Sequence, residues 1–312
     1  MKVSVVVPVR DEEESLPTLM ESLLDQSLSP SEILIVDGGS MDGTVALVRR
    51  YAGRGVRILE IGPAYPGRGR NEGIKAASYP WVALTDAGCV PERQWLEALV
   101  STLDNDERAR VVFGHLVPRL RSEWDVAQAL SLVPPVDPKS GCRSPVIVSC
   151  LLHRSVWETV GGFPENRRAA EDLIFLQRIH EAGIPTRRNS KAVVHWTLQK
   201  GPRAIFKRLR LYSAHHVAAG LSRTWHRRVF IFDIVAATLL AATAFWPQAM
   251  ALLAAGAIGR VVQSIGRRAS NIVDGRAFRF DRVGRVVVLL LLADLAAWAG
   301  AIDFIRRREE FR

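Results

Sequence analysis

Hydrophobic residues in the first 200 positions come in two textures. Short β-branched runs, such as Val3-Ser4-Val5-Val6-Val7, alternate with stretches of helical spacing, such as Leu16, Leu19, Met20, Leu23 and Leu24 within Glu12–Leu28. The runs predict buried parallel strands and the spaced positions amphipathic helices. Further strands are predicted at Ile33–Val36, Val56–Ile61, Trp81–Thr85, Val111–Val117, Val146–Leu152 and Ala192–His195. Helices are predicted at Thr44–Tyr51, from Asn71, at Trp95–Leu103 and at Glu171–Ala182, the last closed by Gly183. Leu120–Ser144, rich in Pro and polar residues, reads as a mobile loop over the site. Repeated β-α units specify an α/β sheet with a nucleotide-sized crevice at its strand ends.

The pattern changes after residue 200. Arg203–Leu221 is a basic amphipathic stretch suited to anionic headgroups. Val229–Trp246 contains one charge, Asp233, and ends at Pro247. Val286–Ile305 is 20 residues long, enough to span a bilayer, although it contains Asp294 and Asp303. The division expected is therefore a catalytic domain over 1–200, a basic interfacial helix over 201–228, and transmembrane or re-entrant helices with basic loops over 229–312. Arginine clusters at 223–228, 260–285 and 306–308 all belong on the cytosolic side by the positive-inside rule, which three simple crossings cannot satisfy. A hairpin around Pro247 with a tilted or re-entrant last helix is one solution.

Composition sharpens this division. Of 312 residues, 48% are hydrophobic and 24% charged, which excludes a disordered chain. The net charge of +10 suggests nucleic acid until it is located. Residues 201–312 hold 18 Lys and Arg against 7 Asp and Glu, while the first 200 hold 24 against 25. Basic and apolar blocks interleaved in this way indicate a membrane surface, and no nucleic-acid partner is expected. Three cysteines without a C-x-x-C pair exclude a disulfide scaffold. The six-residue apolar run at Val3–Pro8 is too short for a signal peptide, so the N-terminal part is expected in the cytosol.

Four segments could carry chemistry. Asp37-Gly38-Gly39-Ser40-Met41-Asp42-Gly43-Thr44 follows a strand and opens a helix; it suits a base, ribose or phosphate, or is an ordinary βα turn with Asp42 near the N-cap. Asp86, at the end of the next predicted strand but one, is placed to hold a divalent cation on a diphosphate. Glu171-Asp172 opens a helix, where a carboxylate can act as general base or merely favour the helix dipole. Gly67-Arg68-Gly69-Arg70-Asn71 suits phosphate contact or is an exposed basic loop.

In this order and spacing the segments resemble the nucleotide-diphospho-sugar transferases of glycosyltransferase family 2, with a Rossmann-like glycosyltransferase A-type fold. The resemblance covers residues 1–200. Val5-Val6-Val7-Pro8-Val9-Arg10-Asp11-Glu12 resembles the first strand and loop, Asp37–Thr44 the nucleoside turn, Arg70-Asn71-Glu72-Gly73 the A-R-N-x-G segment, and Gly161-Gly162-Phe163 with Glu171-Asp172 the G-G-F…E-D block. It implies donor contacts from Pro8, Arg10, Glu12, Asp37, Gly39, Arg68, Arg70, Asn71, Asp86 and Ala87. Asp172 would be the base of an inverting displacement, with Glu171 second. Asp86, and His195 at a strand end, would meet Mg²⁺ or Mn²⁺. Gly38 and Gly88 replace the usual second carboxylates of the nucleoside turn and the D-x-D motif. Ligation would thus rest on Asp86, phosphates and water.

Arg208, Arg210 and Tyr212 could hold a diphosphate or a lipid headgroup, or simply anchor the helix. The expected protein is an inner-membrane glycosyltransferase, with its catalytic domain on the cytoplasmic side. It would move sugar from a nucleotide diphosphate donor to a lipid or polyprenyl-type hydroxyl, as a possible homo-oligomer. The competing readings are a soluble acceptor and a membrane-anchored binding or scaffold protein with a degenerate transferase domain.

Overall fold

A computed structural model describes residues 1–106, 108–221, 226–272 and 274–311. The chain forms two compact units, one of residues 1–119 with 137–197, the other of 120–136 with 198–312.

The first unit is built on an eight-stranded sheet in the order β3-β2-β1-β4-β7-β6-β8-β5. The strands are β1 (Val3–Val9), β2 (Glu32–Asp37), β3 (Val56–Glu60), β4 (Trp81–Leu84), β5 (Cys89–Pro91), β6 (Val111–Arg119), β7 (Cys150–His153) and β8 (Thr186–Thr197). The first four are mutually parallel. Beyond β4 the directions become mixed, since β7 is antiparallel to both β4 and β6 while β8 runs parallel to β6. Val5, Val6, Val7, Ile35 and Val36 are wholly buried, as strands covered by helices on both faces require. Each predicted strand has a counterpart, although β7 starts four residues late because Ile147–Ser149 form a 3₁₀ turn. β5 was not predicted, because three residues carry no usable alternation, and β8 begins six residues before the predicted start, in the polar run Thr186–Lys191.

Helices α1 (Leu16–Leu24), α2 (Thr44–Arg49), α3 (Pro66–Ala76), α4 (Trp95–Ser101), α6 (Arg154–Thr159) and α7 (Glu171–Glu181) complete this unit. α3 begins five residues before its predicted start because Pro66 takes the first helical turn, where its missing N–H is no loss. The Gly/Arg loop is thereby part of a helix.

The expected mobile loop at Leu120–Ser144 is corrected. Residues Glu123–Ser131 form α5, a helix of the second unit. Ser122 caps it by accepting from the Asp125 amide (3.2 Å), and the Asp125 carboxylate accepts from the Ser122 hydroxyl (2.9 Å). This is a reciprocal cap of the S-x-x-[DE] type. Ala127, Ala129 and Leu130 are buried beneath it.

The rest of the second unit is α8 (Gly201–Ala218), α9 (His226–Ala242), α10 (Ala249–Arg268) and α11 (Phe280–Arg306). Positions 222–225 of the expected basic segment, including Arg223, lie outside the described residues. α8 crosses α11 at Gly300, where a Cβ would come within 2.4 Å of the Arg210 carbonyl. Gly300→Ala is expected to push the helices apart, costing about 1–3 kcal/mol by overpacking, and to lower the thermal midpoint of the detergent-solubilised protein. Two helical segments, Ala249–Asn271 and Phe280–Arg306, are long and apolar enough to cross a membrane.

Candidate active site

Parallel strands bring their carboxyl ends to one edge. The register pairs Val9 with Asp37, so the loop after β1 lies beside the turn after β2, with Asp86 just past the end of β4. The first two segments are stitched together by polar bonds. The Glu12 amide donates to the Thr44 hydroxyl (2.8 Å), the Met41 amide to Asp11 (2.8 Å) and the Gly43 amide to Glu13 (3.0 Å). Asp37 is buried and accepts from the Gly39 and Ser40 amides at 3.0 and 3.2 Å, so its carboxylate shapes the turn. Arg10 and Arg68 are exposed at this end, Glu12 and Ala87 are half-buried, and Pro8 supports Gly69 of α3.

Arg70 and Asn71 were expected at the donor; the structure places both inside. The Arg70 guanidinium is buried, donating to Glu171 at 2.7 Å and to both oxygens of Asp86 at 2.8 and 2.9 Å. Burial works against its charge, but Asp86, Glu171 and Asp172 outweigh it and hold the group protonated. It also lies 5.5 Å from the centre of the Phe163 ring, which stacks on Phe175. Asn71 donates to the Phe163 carbonyl (2.9 Å) and Glu165 (2.8 Å), and accepts from Trp157 (2.8 Å) and the Phe163 amide (2.9 Å). One residue of α3 thus clamps two carboxylates, and the next locks the Gly-Gly-Phe loop.

That loop packs so closely that a Cβ on Gly67 would come within 2.0 Å of the Pro164 carbonyl oxygen. Gly67→Ala must displace one of two backbones, at about 1–3 kcal/mol by overpacking. The expected readout is weaker protection of the Phe163 amide in hydrogen exchange, together with a lower melting temperature.

The chain enters α7 through Ala170 in the left-handed region, φ 67°. A non-glycine residue there costs about 1–2 kcal/mol, which the bond from Arg70 to Glu171 helps offset. The turn separates the two neighbouring carboxylates. Glu171 is buried and committed to Arg70, whereas Asp172 is half-buried and accepts from the Leu173 amide at 2.8 Å. Burial, reinforced by the Glu171 charge and opposed by Arg70, pushes the Asp172 carboxyl up to about 6. A carboxylate poised there suits general-base work near neutral pH.

Residues 4–131 match the family model described as Glycosyl transferase family 2. Over these residues the chain is similar to that family. Over its length the chain is 26% identical to Glycosyltransferase AglE of Haloferax volcanii, the match covering 99% of this chain and 97% of that protein. Its fold is that of the mannosyltransferase PcManGT of Pyrobaculum calidifontis, solved with GDP-Man and Mn²⁺, at a TM-score of 0.64 and 21% identity over 95% of this chain and 87% of that one. S. aureus TarS with UDP-GlcNAc gives 0.52 at 15% identity over 99% and 92%.

The remaining expected positions of the transferase are not all gathered here. His195 lies on β8, its Nε2 2.7 Å from Glu92. Among the described residues no group of three or more His, Cys, Asp or Glu side chains lies close enough together to hold a metal. Asp86, a third exposed, is the oxygen ligand the expected site offers. In the second unit Arg208 donates to the Tyr212 hydroxyl (2.6 Å), and Arg210 is committed to Asp303 by two bonds of 2.5 and 2.6 Å. Arg210 is therefore tied up in helix packing.

The Arg70 clamp, Trp157, Glu165 and the Phe163–Phe175 stack were missed as a network. The legible signal was charge complementarity between the Arg-Asn segment and the Glu-Asp block.

Proposed function

We propose that the protein transfers a sugar from a nucleoside diphosphate sugar to a hydroxyl of a lipid or polyprenyl-type acceptor at the cytoplasmic face of the inner membrane, with inversion. The observation that carries the reading is the division of two neighbouring carboxylates: Glu171 is held by Arg70 at 2.7 Å, while Asp172 beside it is pushed up to about 6, chiefly by burial. Asp172 takes the acceptor proton as the hydroxyl oxygen attacks the anomeric carbon, and the nucleoside diphosphate leaves from the opposite face. The stitched loops after β1 and β2, with Pro8, Arg10, Glu12, Asp37, Gly39, Arg68 and Ala87, form the donor end. A divalent cation, Mg²⁺ or Mn²⁺, would be held by Asp86 with diphosphate oxygens and water, and would neutralise charge on the leaving group. Donor complexes of PcManGT and TarS support the donor class, and the apolar helices support a membrane acceptor.

The test offers labelled nucleotide sugars singly to membranes containing the protein, with Mg²⁺ or Mn²⁺ and Asp172→Asn membranes as control. Organic-phase label that vanishes in the variant is expected. Variant-sensitive label confined to water-soluble product would remove the lipid acceptor. No label from any donor would turn the reading toward the degenerate scaffold protein.

A further inference from the structure

We infer that the helical unit is monotopic: no helix in it crosses the bilayer, the α9–α10 hairpin dips into one leaflet and returns, and α11 lies along the membrane plane. This rests on the membrane association proposed above and assigns its form.

The hairpin comes first. Between Asp233 and Arg260 there is no charged residue, and of residues 234–259 only Ala249 is buried. The two hydroxyls within this stretch are satisfied by their own backbone, while Gln248 is exposed at the tip beside Pro247. The Thr238 hydroxyl donates to the Ile234 carbonyl (2.9 Å) and the Thr243 hydroxyl to Leu240 (2.6 Å). At the tip the amides of 243–246 and 249–251 all donate to nearby carbonyls, and Pro247 has no N–H to satisfy. Hydrocarbon demands this, because water cannot supply partners there. Phe245, 94% exposed, stands at the tip.

Charged groups are gathered at the base. Arg260 makes two bonds to Asp294 of α11 (2.5 and 2.6 Å), and Asp233 accepts from the Trp298 indole (2.8 Å). Arg227 and Arg228 start α9, and Arg267 and Arg268 end α10, at that same end. Arms of about 13 residues rising 1.5 Å each reach about 20 Å, short of the about 30 Å of a hydrocarbon core.

α11 passes a hydropathy test for spanning, yet its neighbours are polar. Its first turns hold Arg282 against Glu123 of α5 (2.9 Å) and Arg285 over the Trp124 ring. From Ala297 onward it lies against α8, through Ser213 to the Ala297 carbonyl (2.7 Å) and Arg210 to Asp303. α8 itself exposes Arg203, Lys207 and Arg208. This leaves Val286–Ala296, about 17 Å of helix, between those contacts, and even there Asp294 holds Arg260 of α10. Charges beside a crossing helix would cost about 2.5–3.5 kcal/mol each at mid-bilayer. The exposed face of α11 is instead one apolar stripe along the whole helix: Val287, Val288, Leu291, Leu295, Ile302 and Ile305. A helix with charged partners along its covered side and a uniformly apolar opposite face has the profile of an interfacial element. With no crossing, the arginines before α9, between α10 and α11, and after α11 all remain on one side, which resolves the positive-inside conflict in the sequence.

The experiment introduces Phe245→Cys, Arg276→Cys and Arg308→Cys singly into the full chain. Cys89, Cys142 and Cys150 are buried and give a low background. Membrane-impermeant maleimide is applied to right-side-out and inside-out vesicles, after a high-salt wash. Arg276→Cys and Arg308→Cys should label from the cytoplasmic face alone, and Phe245→Cys from neither face until detergent is added. Labelling of Phe245→Cys from the outer face would mean a spanning hairpin. Labelling of Arg276→Cys and Arg308→Cys from opposite faces would mean that α11 crosses. Either result overturns the inference while leaving a membrane enzyme. A disulfide-linked dimer through Phe245→Cys would replace lipid with a second copy as the occupant. Release of the protein by salt, with Phe245→Cys reactive in solution, would remove the membrane reading itself.

Discussion

Asp172→Asn is expected to lower turnover by roughly 10²–10⁴-fold, the usual worth of a positioned general base, while donor affinity stays near that of the parent. Stability should move the other way. The folded protein holds the Asp172 carboxyl up to about 6 against an ordinary value of 3.8. The folded state therefore keeps that proton more tightly, and ionisation disfavours folding as pH rises through this window. Above pH 6 the neutral Asn escapes that penalty, so the variant should melt at the same temperature or higher. In the parent, turnover should climb as pH rises through about 6 and level off above 7. A melting temperature that falls with the activity would make Asp172 a structural residue, and a pH-independent rate would remove it as the base.

The largest stability effect is expected at Arg70. Arg70→Ala leaves Glu171 buried without its partner, and breaking one side of a buried pair costs about 3–5 kcal/mol. Thermal denaturation of the detergent-solubilised full chain should show a large drop. The loss comes from that buried, unpaired charge. Glu171→Gln in the Arg70→Ala background should recover part of the loss for the same reason. Arg70→Lys keeps the charge but cannot fork between Asp86 and Glu171, so it should sit between parent and Ala. If Arg70 were a donor contact, as the resemblance implied, Arg70→Ala would raise the donor KM without affecting the melt.

These two residues show how far a linear reading reaches. The resemblance of the Glu-Asp block assigned Asp172 its role, and the bond from Arg70 to Glu171 favours that choice. Arg70 was assigned to the donor because an arginine beside glycines reads as a phosphate loop. Pro66 instead starts a helix there, and the first turns carry Arg70 inward. Its partners lie 16 and 101 positions along the chain, a distance no local pattern spans. The Asn71 lock on Phe163 was hidden likewise. α5 was missed for a different reason: Ser122-Glu123-Trp124-Asp125 was a legible cap, outweighed by the prolines that follow it.

Local sequence determined the alternating strands and helices of the first unit, the carboxylates at the strand ends, the family resemblance, and the segregation of positive charge into the last third. These follow from periodicity, turn chemistry and composition, which act over a few residues. Tertiary structure decided which carboxylate is neutralised by an arginine and which is left poised. It also decided which face of each apolar helix is covered. Hydropathy reads α11 as a span because it averages over all faces of a helix. Packing against α5 and α8 divides that helix into a buried side and an exposed one, and only neighbours distant in sequence can supply that division.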